Sequence, residues 1–187
     1  MSNGAAPAPP TCADPAPLGL AAFGLTTFVL SAVNAGWIPK AGEPVVLGLA
    51  FAYGGLAQLC AGMWEFKRNN TFGATAFSSY GAFWIAFAVL ANFHAALIPH
   101  EAAPTAVGMF LLGWAIFTTY MTVAASSLSR PVFIVFILLT ITFFVLAFAN
   151  LGGQPGLAVL GGYLGLLTAI GAWYASATTL IAATRKH

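Results

Sequence analysis

The chain has 187 residues, of which 60% are hydrophobic and only 5% charged, with a formal net charge of +2. A typical soluble domain carries roughly 25% charged residues, so water alone cannot solvate this surface and lipid must cover much of it. Six basic and four acidic side chains form no basic patch for nucleic acid, and two cysteines, Cys12 and Cys60, are too few for a disulfide framework.

Residues 1–14, MSNGAAPAPPTCAD, lack the basic and apolar segments of a signal peptide, and their Pro and Gly density reads as a disordered cytoplasmic tail. Residues 15–183 read as one transmembrane domain, and residues 184–187 as a basic cytoplasmic C-terminus. Within that domain, apolar runs of about 20 residues, enough to cross a bilayer, fall at Leu18–Ile38, Pro44–Trp64, Gly73–Leu97, Ala106–Ser126, Pro131–Leu151 and Gly156–Ala182. The breaks between them are short, so neighbouring helices run antiparallel and both termini share one side. That side carries Lys67, Arg68, Arg130, Arg185 and Lys186, whereas the other carries only Lys40. The positive-inside rule puts both termini in the cytoplasm of a multi-pass plasma-membrane protein. Trp37 and Trp64 stand near span ends, where an aromatic belt belongs. Gly54, Gly55, Gly62, Gly161 and Gly165 are small enough to let helix backbones approach. The fold class is an all-α membrane protein of six transmembrane helices.

The odd-numbered spans resemble one another: FGLTTFVLSAVN ends at Asn34, YGAFWIAFAVLAN at Asn92 and LTITFFVLAFAN at Asn150. The three asparagines recur at an interval of 58 residues. A fixed period marks three helical hairpins as repeat units. The odd spans run the same way, so the repeat is parallel and surrounds an axis along the membrane normal. Phe23 precedes Asn34, and Leu139 precedes Asn150, by eleven residues. That is about three turns, placing each pair on one face roughly 16 Å apart in depth. Tyr80 precedes Asn92 by twelve. Two readings stay open: a pore with a hydrophobic ring at mid-depth and an amide ring at its outer mouth, or asparagines that simply finish helices next to loops.

No Asp, Glu, Lys or Arg lies in the middle of a span. Phe23, Thr27, Leu30 and Asn34 share one stripe, Gln58 and Glu65 another, and Phe77, Tyr80 and Trp84 a third. Such polar stripes line a path or join helices to one another. An unpaired anion pays at least about 2.5–3.5 kcal/mol at mid-depth, so a neutral solute, or an anion that picks up a proton, crosses such a path more easily. His94 is an interfacial residue or a titrating one near the outer side, and Glu65 a vestibule residue or the partner of Lys67 and Arg68. HExxH, CxxC, GxSxG and Walker patterns are absent, which indicates no enzyme, no metal and no cofactor.

Two segments carry a family resemblance. Asp14–Leu20 reads DPAPLGL and continues into AAFGLTTFVLSAVNAG, and Tyr53–Trp84 reads YGGLAQLCAGMWEFKRNNTFGATAFSSYGAFW. These resemble the acetate/succinate transporter family of bacteria, archaea and fungi, whose hallmark is Asn-Pro-Ala-Pro-Leu-Gly-Leu, and the likeness covers nearly the whole chain. It implies a homohexamer in which each protomer has its own pore and a fold similar to amide/urea channels. The implied substrate is acetate, or succinate in some members, moved by proton symport or through a gated channel. The implied constriction is Phe23, Tyr80 and Leu139, with Tyr80 offering its hydroxyl to a carboxylate. The path then includes Thr27, Asn34, Gln58, Glu65, Trp84, Asn92 and Asn150. The helix-start motif is Asp14, Pro15, Pro17 and Gly19. Asp14 replaces the hallmark Asn, and Asn69 stands where the family commonly has Gly. A channel for a small neutral solute, such as urea, a short amide or ammonia, suits an uncharged pore equally.

Overall fold

A computed structural model describes residues 12–185, and all regular structure among them is helical. Six helices are long and apolar enough to cross a membrane: α1 (Ala16–Asn34), α2 (Lys40–Lys67), α3 (Thr71–Leu97), α4 (Ala103–Ala125), α5 (Arg130–Leu151) and α6 (Pro155–Thr184). They match the expected spans to within a few residues, the observed helices being longer at polar ends such as Glu65–Lys67 and Thr71–Phe72. Most of the expected tail, and Lys186 and His187 of the basic terminus, lie outside the described residues.

Starts and stops follow local chemistry. α1, α4, α5 and α6 each carry a proline in the first turn, where its missing N–H would have had no partner anyway. Asp14 Oδ1 accepts from the Ala16 N–H at 3.0 Å, so the aspartate caps α1 as the hallmark asparagine would. Pro17 and Gly19 then lock the start to its neighbours. The Pro17 carbonyl accepts from Ser176 Oγ of α6 at 2.7 Å. A Cβ on Gly19 would sit 2.7 Å from the Phe77 ring of α3. Between α2 and α3, Asn69 has φ 59°, a left-handed conformation that asparagine tolerates far better than most residues. Its presence where the resembled family commonly has Gly is thus no conflict.

The helices form a closed ring. α1 packs most extensively on α6, and also on α2; α4 packs on α5, and α5 on α6. Close approach between helices occurs at their glycines. A Cβ on Gly165 of α6 would overlap Ser31 Oγ of α1, and one on Gly62 of α2 would overlap Ser78 of α3. α3 and α4 are different. Their backbones stand further apart, and aromatic rings bridge them: Phe83 to Phe110 at 5.7 Å, Phe83 to Trp114 at 5.1 Å and Tyr80 to Phe117 at 5.5 Å between centroids. The outer surface is greasy, with Ile116, Val123, Ile134, Leu167 and Ile170 all exposed, as lipid contact requires.

Two helices widen locally into π turns, α2 at Ala52–Ala57 and α3 at Leu90–His94. The second has a direct effect on the repeat. The extra residue between Tyr80 and Asn92 falls at this turn, and Asn92 ends up exposed.

Candidate transport pathway

A cavity of about 380 Å³ runs inside the ring from mid-helix to the end of the bundle where α1 and α5 finish. Its deep end is bounded by Phe23 and Leu139, and its rim by Asn34, Asn150, Lys40 and Glu43. Phe23, Tyr80 and Leu139 belong to one buried cluster, with the Phe23 and Tyr80 rings 5.8 Å apart. The structure therefore brings together the three residues that the repeat and the motifs singled out.

The hydroxyl of Tyr80 is already engaged. It lies 2.9 Å from Thr118 Oγ1. That threonine has a single hydrogen, which goes to the Trp114 carbonyl at 2.7 Å, an atom that can only accept. The proton between Tyr80 and Thr118 must therefore come from Tyr80. The hydrogen expected to meet a carboxylate is bound to α4 instead, and Tyr80 presents its ring to Phe23. Phe23, Tyr80 and Leu139 together offer no free donor.

The donors lie one turn further along. Of the five buried threonines, Thr26, Thr118, Thr142 and Thr168 hydrogen-bond to a carbonyl of their own helix. Thr27 does not: its Oγ1 is buried without a partner, and so is Nε1 of Trp84. Both residues line the cavity, at 6% and 2% exposure. A buried donor without an acceptor costs about 1–3 kcal/mol, so a ligand that accepts two hydrogen bonds gains by docking there.

The remaining path residues lie elsewhere. Asn34 and Asn150 line the cavity. Asn150 Nδ2 donates to the Leu146 carbonyl at 2.9 Å, which leaves its amide oxygen free. Asn92 donates likewise to Ala88 at 3.0 Å but is exposed outside the cavity lining, so the expected three-amide ring is reduced to two. His94, in the same π turn, is also exposed outside that lining. Gln58 and Glu65 are buried, at 1% and 0% exposure, yet neither lines the cavity. Glu65 sits towards the end of the bundle that holds the termini. Its Oε2 accepts from Asn70 Nδ2 at 2.9 Å, and its Oε1 has no partner. Asn70 also caps α3, accepting from the Gly73 N–H at 3.1 Å. Glu65 is not paired with Lys67 or Arg68. Arg68 instead reaches Asp14 Oδ2 at 3.7 Å and the Cys12 carbonyl at 3.3 Å. A second cavity of about 380 Å³ opens at this end, lined in part by Asp14, Ser129, Val132, Thr178 and Thr179. Both threonines there bond to their own helix, so it holds no unpaired threonine donor.

The Lys40–Glu43 pair at the rim was not singled out from the sequence, because it falls in a break between spans. Opposite charges three residues apart between Pro39 and Pro44 were the available signal.

Residues 1–186 match the GPR1/FUN34/yaaH family. The chain belongs to that family. Among its relatives in the GPR1/FUN34/yaaH family, acetate permease A of Emericella nidulans is 46% identical over 177 residues, covering 87% of this chain and 59% of the relative. The succinate-acetate/proton symporter SatP of Escherichia coli is 38% identical over 167 residues, covering 87% of this chain and 85% of the relative. The chain spans 59–66% of the length of four fungal relatives that it matches. The solved structure of the bacterial acetate channel SatP superimposes with a TM-score of 0.86 at 33% identity, covering 91% of this chain and 93% of the other.

Proposed function

We propose that this protein moves acetate across a cell membrane through the interior of each six-helix ring. The observation that carries the reading is the pair of buried, unpartnered donors, Thr27 Oγ1 and Trp84 Nε1, on two residues that line a cavity ending at an apolar ring. Two donors, one from α1 and one from α3, suit the two oxygens of a carboxylate, and the Phe23 and Phe83 rings suit a short hydrocarbon tail. The relatives named for acetate and for succinate-acetate/proton symport support the same substrate class.

The ring then favours the protonated acid. Phe23, Tyr80 and Leu139 supply neither a charge nor a free donor, and an anion there keeps its full desolvation cost. A carboxylic acid has a pKa near that of Glu, about 4.3, so near neutral pH the acid fraction rises about tenfold for each unit the pH falls. The proton travels as part of the substrate, and symport needs no relay of side chains. The assembly in this reading is a homohexamer with one lumen per protomer. The termini, with Lys67, Arg68, Arg130 and Arg185 at their end of the bundle, face the cytoplasm.

Uptake of labelled acetate into proteoliposomes tests this reading with Phe23→Ala and Leu139→Ala. Both variants should raise flux and admit longer acids. Unchanged flux and size selectivity in both would refute the ring. A channel for neutral solutes such as urea is the rival, since the same ring lacks charge. It predicts urea flux that does not change between pH 7 and pH 5, whereas acetate flux climbs.

A further inference from the structure

The rim of the cavity holds two charges that the pathway so far leaves unused. Lys40 and Glu43 are the only charged residues among those lining it. Lys40 Nζ lies 3.2 Å from Glu43 Oε2, with side-chain exposures of 80% and 29%. The backbone between them is held rigidly. Pro39 precedes the turn, Pro44 follows it, and the Gly42 and Glu43 N–H groups donate back to Pro39 and Lys40 at 2.8 and 3.0 Å. His94, His100, Glu101 and Tyr163, also titratable and towards this end, are absent from the lining. The cations Lys67, Arg68, Arg130 and Arg185 belong to the opposite end of the bundle. A carboxylate approaching the rim therefore meets one lining cation, and that cation already holds a carboxylate.

We propose that Lys40 is the recruiting cation for carboxylate substrates and that Glu43 is the internal carboxylate they displace. The inference rests on the proposed passage of carboxylates through this cavity. Lys40, the more exposed partner, raises the local concentration of anions at the rim, as single-sign charge at a narrow mouth does. Glu43, more withdrawn, occupies the ammonium group when no substrate is present and sets the threshold an incoming anion must exceed. The pair is solvent-accessible, so it exchanges readily: an exposed ion pair has little net strength. The rim thus selects the anion and the deeper ring passes the acid. The anion takes its proton from bulk water at the open rim, so the neutral acid is the form that meets the ring.

Acetate uptake by reconstituted full-length protein tests this directly, with KM and Vmax measured separately. At pH 7 and low salt, Lys40→Gln should raise KM about three- to tenfold and leave Vmax within about twofold, and Lys40→Glu should raise KM further. Lys40→Arg, which keeps the charge, should restore the wild-type KM. Glu43→Gln, which frees the ammonium, should lower KM about twofold. Near 1 M salt the Debye length is about 3 Å, and the Lys40→Gln difference should disappear. In the Glu43→Gln background the Lys40→Gln effect should also vanish at pH values below the substrate pKa, where the acid carries no charge. A KM for Lys40→Gln equal to wild type overturns the inference. So does a raised KM that salt leaves unchanged or that arginine does not rescue, because that outcome marks a structural role. Wild-type protein that carries no acetate refutes the proposed function and this inference with it, whereas wild-type flux with an indifferent Lys40 refutes only the latter.

Discussion

The direction of the hydrogen bond at Tyr80 can be tested by a double-mutant cycle. Thr118→Val keeps the shape of the side chain and removes the acceptor. The hydroxyl of Tyr80, a residue only 2% exposed, then lies buried without a partner, at a cost of about 1–3 kcal/mol. Tyr80→Phe removes the donor instead and leaves Thr118 bonded to the Trp114 carbonyl; it should cost only about 0.5–1.5 kcal/mol. In the double variant no orphan remains, so its loss should match that of Tyr80→Phe alone, and the coupling should be about 1–3 kcal/mol. For a chain of this size 1 kcal/mol moves Tm by about 2–4 °C. Thr118→Val should therefore melt about 2–12 °C below wild type, and adding Tyr80→Phe should recover about half of the difference. Tryptophan fluorescence during heating in detergent reads this directly. Losses that simply add would show that Tyr80 does not donate to Thr118 and would reopen its hydroxyl to the substrate.

Other outcomes follow from the same geometry. Asn70→Ala removes the α3 cap, at about 1 kcal/mol, and strips Glu65 of its hydrogen bond; the combined loss of about 2–4 kcal/mol should lower Tm strongly, and Glu65→Leu should soften the effect. Gly165→Ala drives a methyl into Ser31 of α1 and should cost about 1–3 kcal/mol. Gly156→Ala, which meets nothing within 4 Å, should melt within about 2 °C of wild type, equal to about 0.5 kcal/mol. Thr27→Val removes one of the two fully buried, unpartnered donors in the lining and should weaken acetate uptake about five- to tenfold, about one net hydrogen bond; an unchanged KM would remove Thr27 from the site. Wild-type acetate flux should climb between pH 7 and pH 5 as the acid fraction grows, and a flat profile would exclude passage of the acid.

The helices were legible because lipid enforces one rule: about 20 apolar residues per crossing, with polar residues at the ends. Phe23, Tyr80 and Leu139 were legible because sequence repeat and motif gave the same positions. Asn92 shows where such reasoning stops. Its spacing from Asn34 and Asn150 is regular, but the π turn at Leu90–His94 is set by how α3 packs, and no local residue type announces it. The engagement of Tyr80 by Thr118 was equally hidden, because it joins residues 38 positions apart on helices that meet only through side chains. Glu65 beside Lys67 and Arg68 reads as an ion pair in the sequence, yet Asp14 takes Arg68 and Asn70 takes Glu65. Charge neighbours along a helix are weak guides when a chain segment from elsewhere competes for them.

The aromatic seam between α3 and α4 has a consequence for how such proteins diverge. Where α2 meets α3 and α1 meets α6 the bore is fixed by backbones in touch, as at Gly62 and Gly162, where even one methyl group collides. At the seam the spacing is carried by Phe83, Phe110, Trp114 and Phe117. Their size can vary one residue at a time while the scaffold holds. The lumen can therefore be re-gauged for a longer or bulkier solute by point substitution, along a single edge of an otherwise closely packed cylinder.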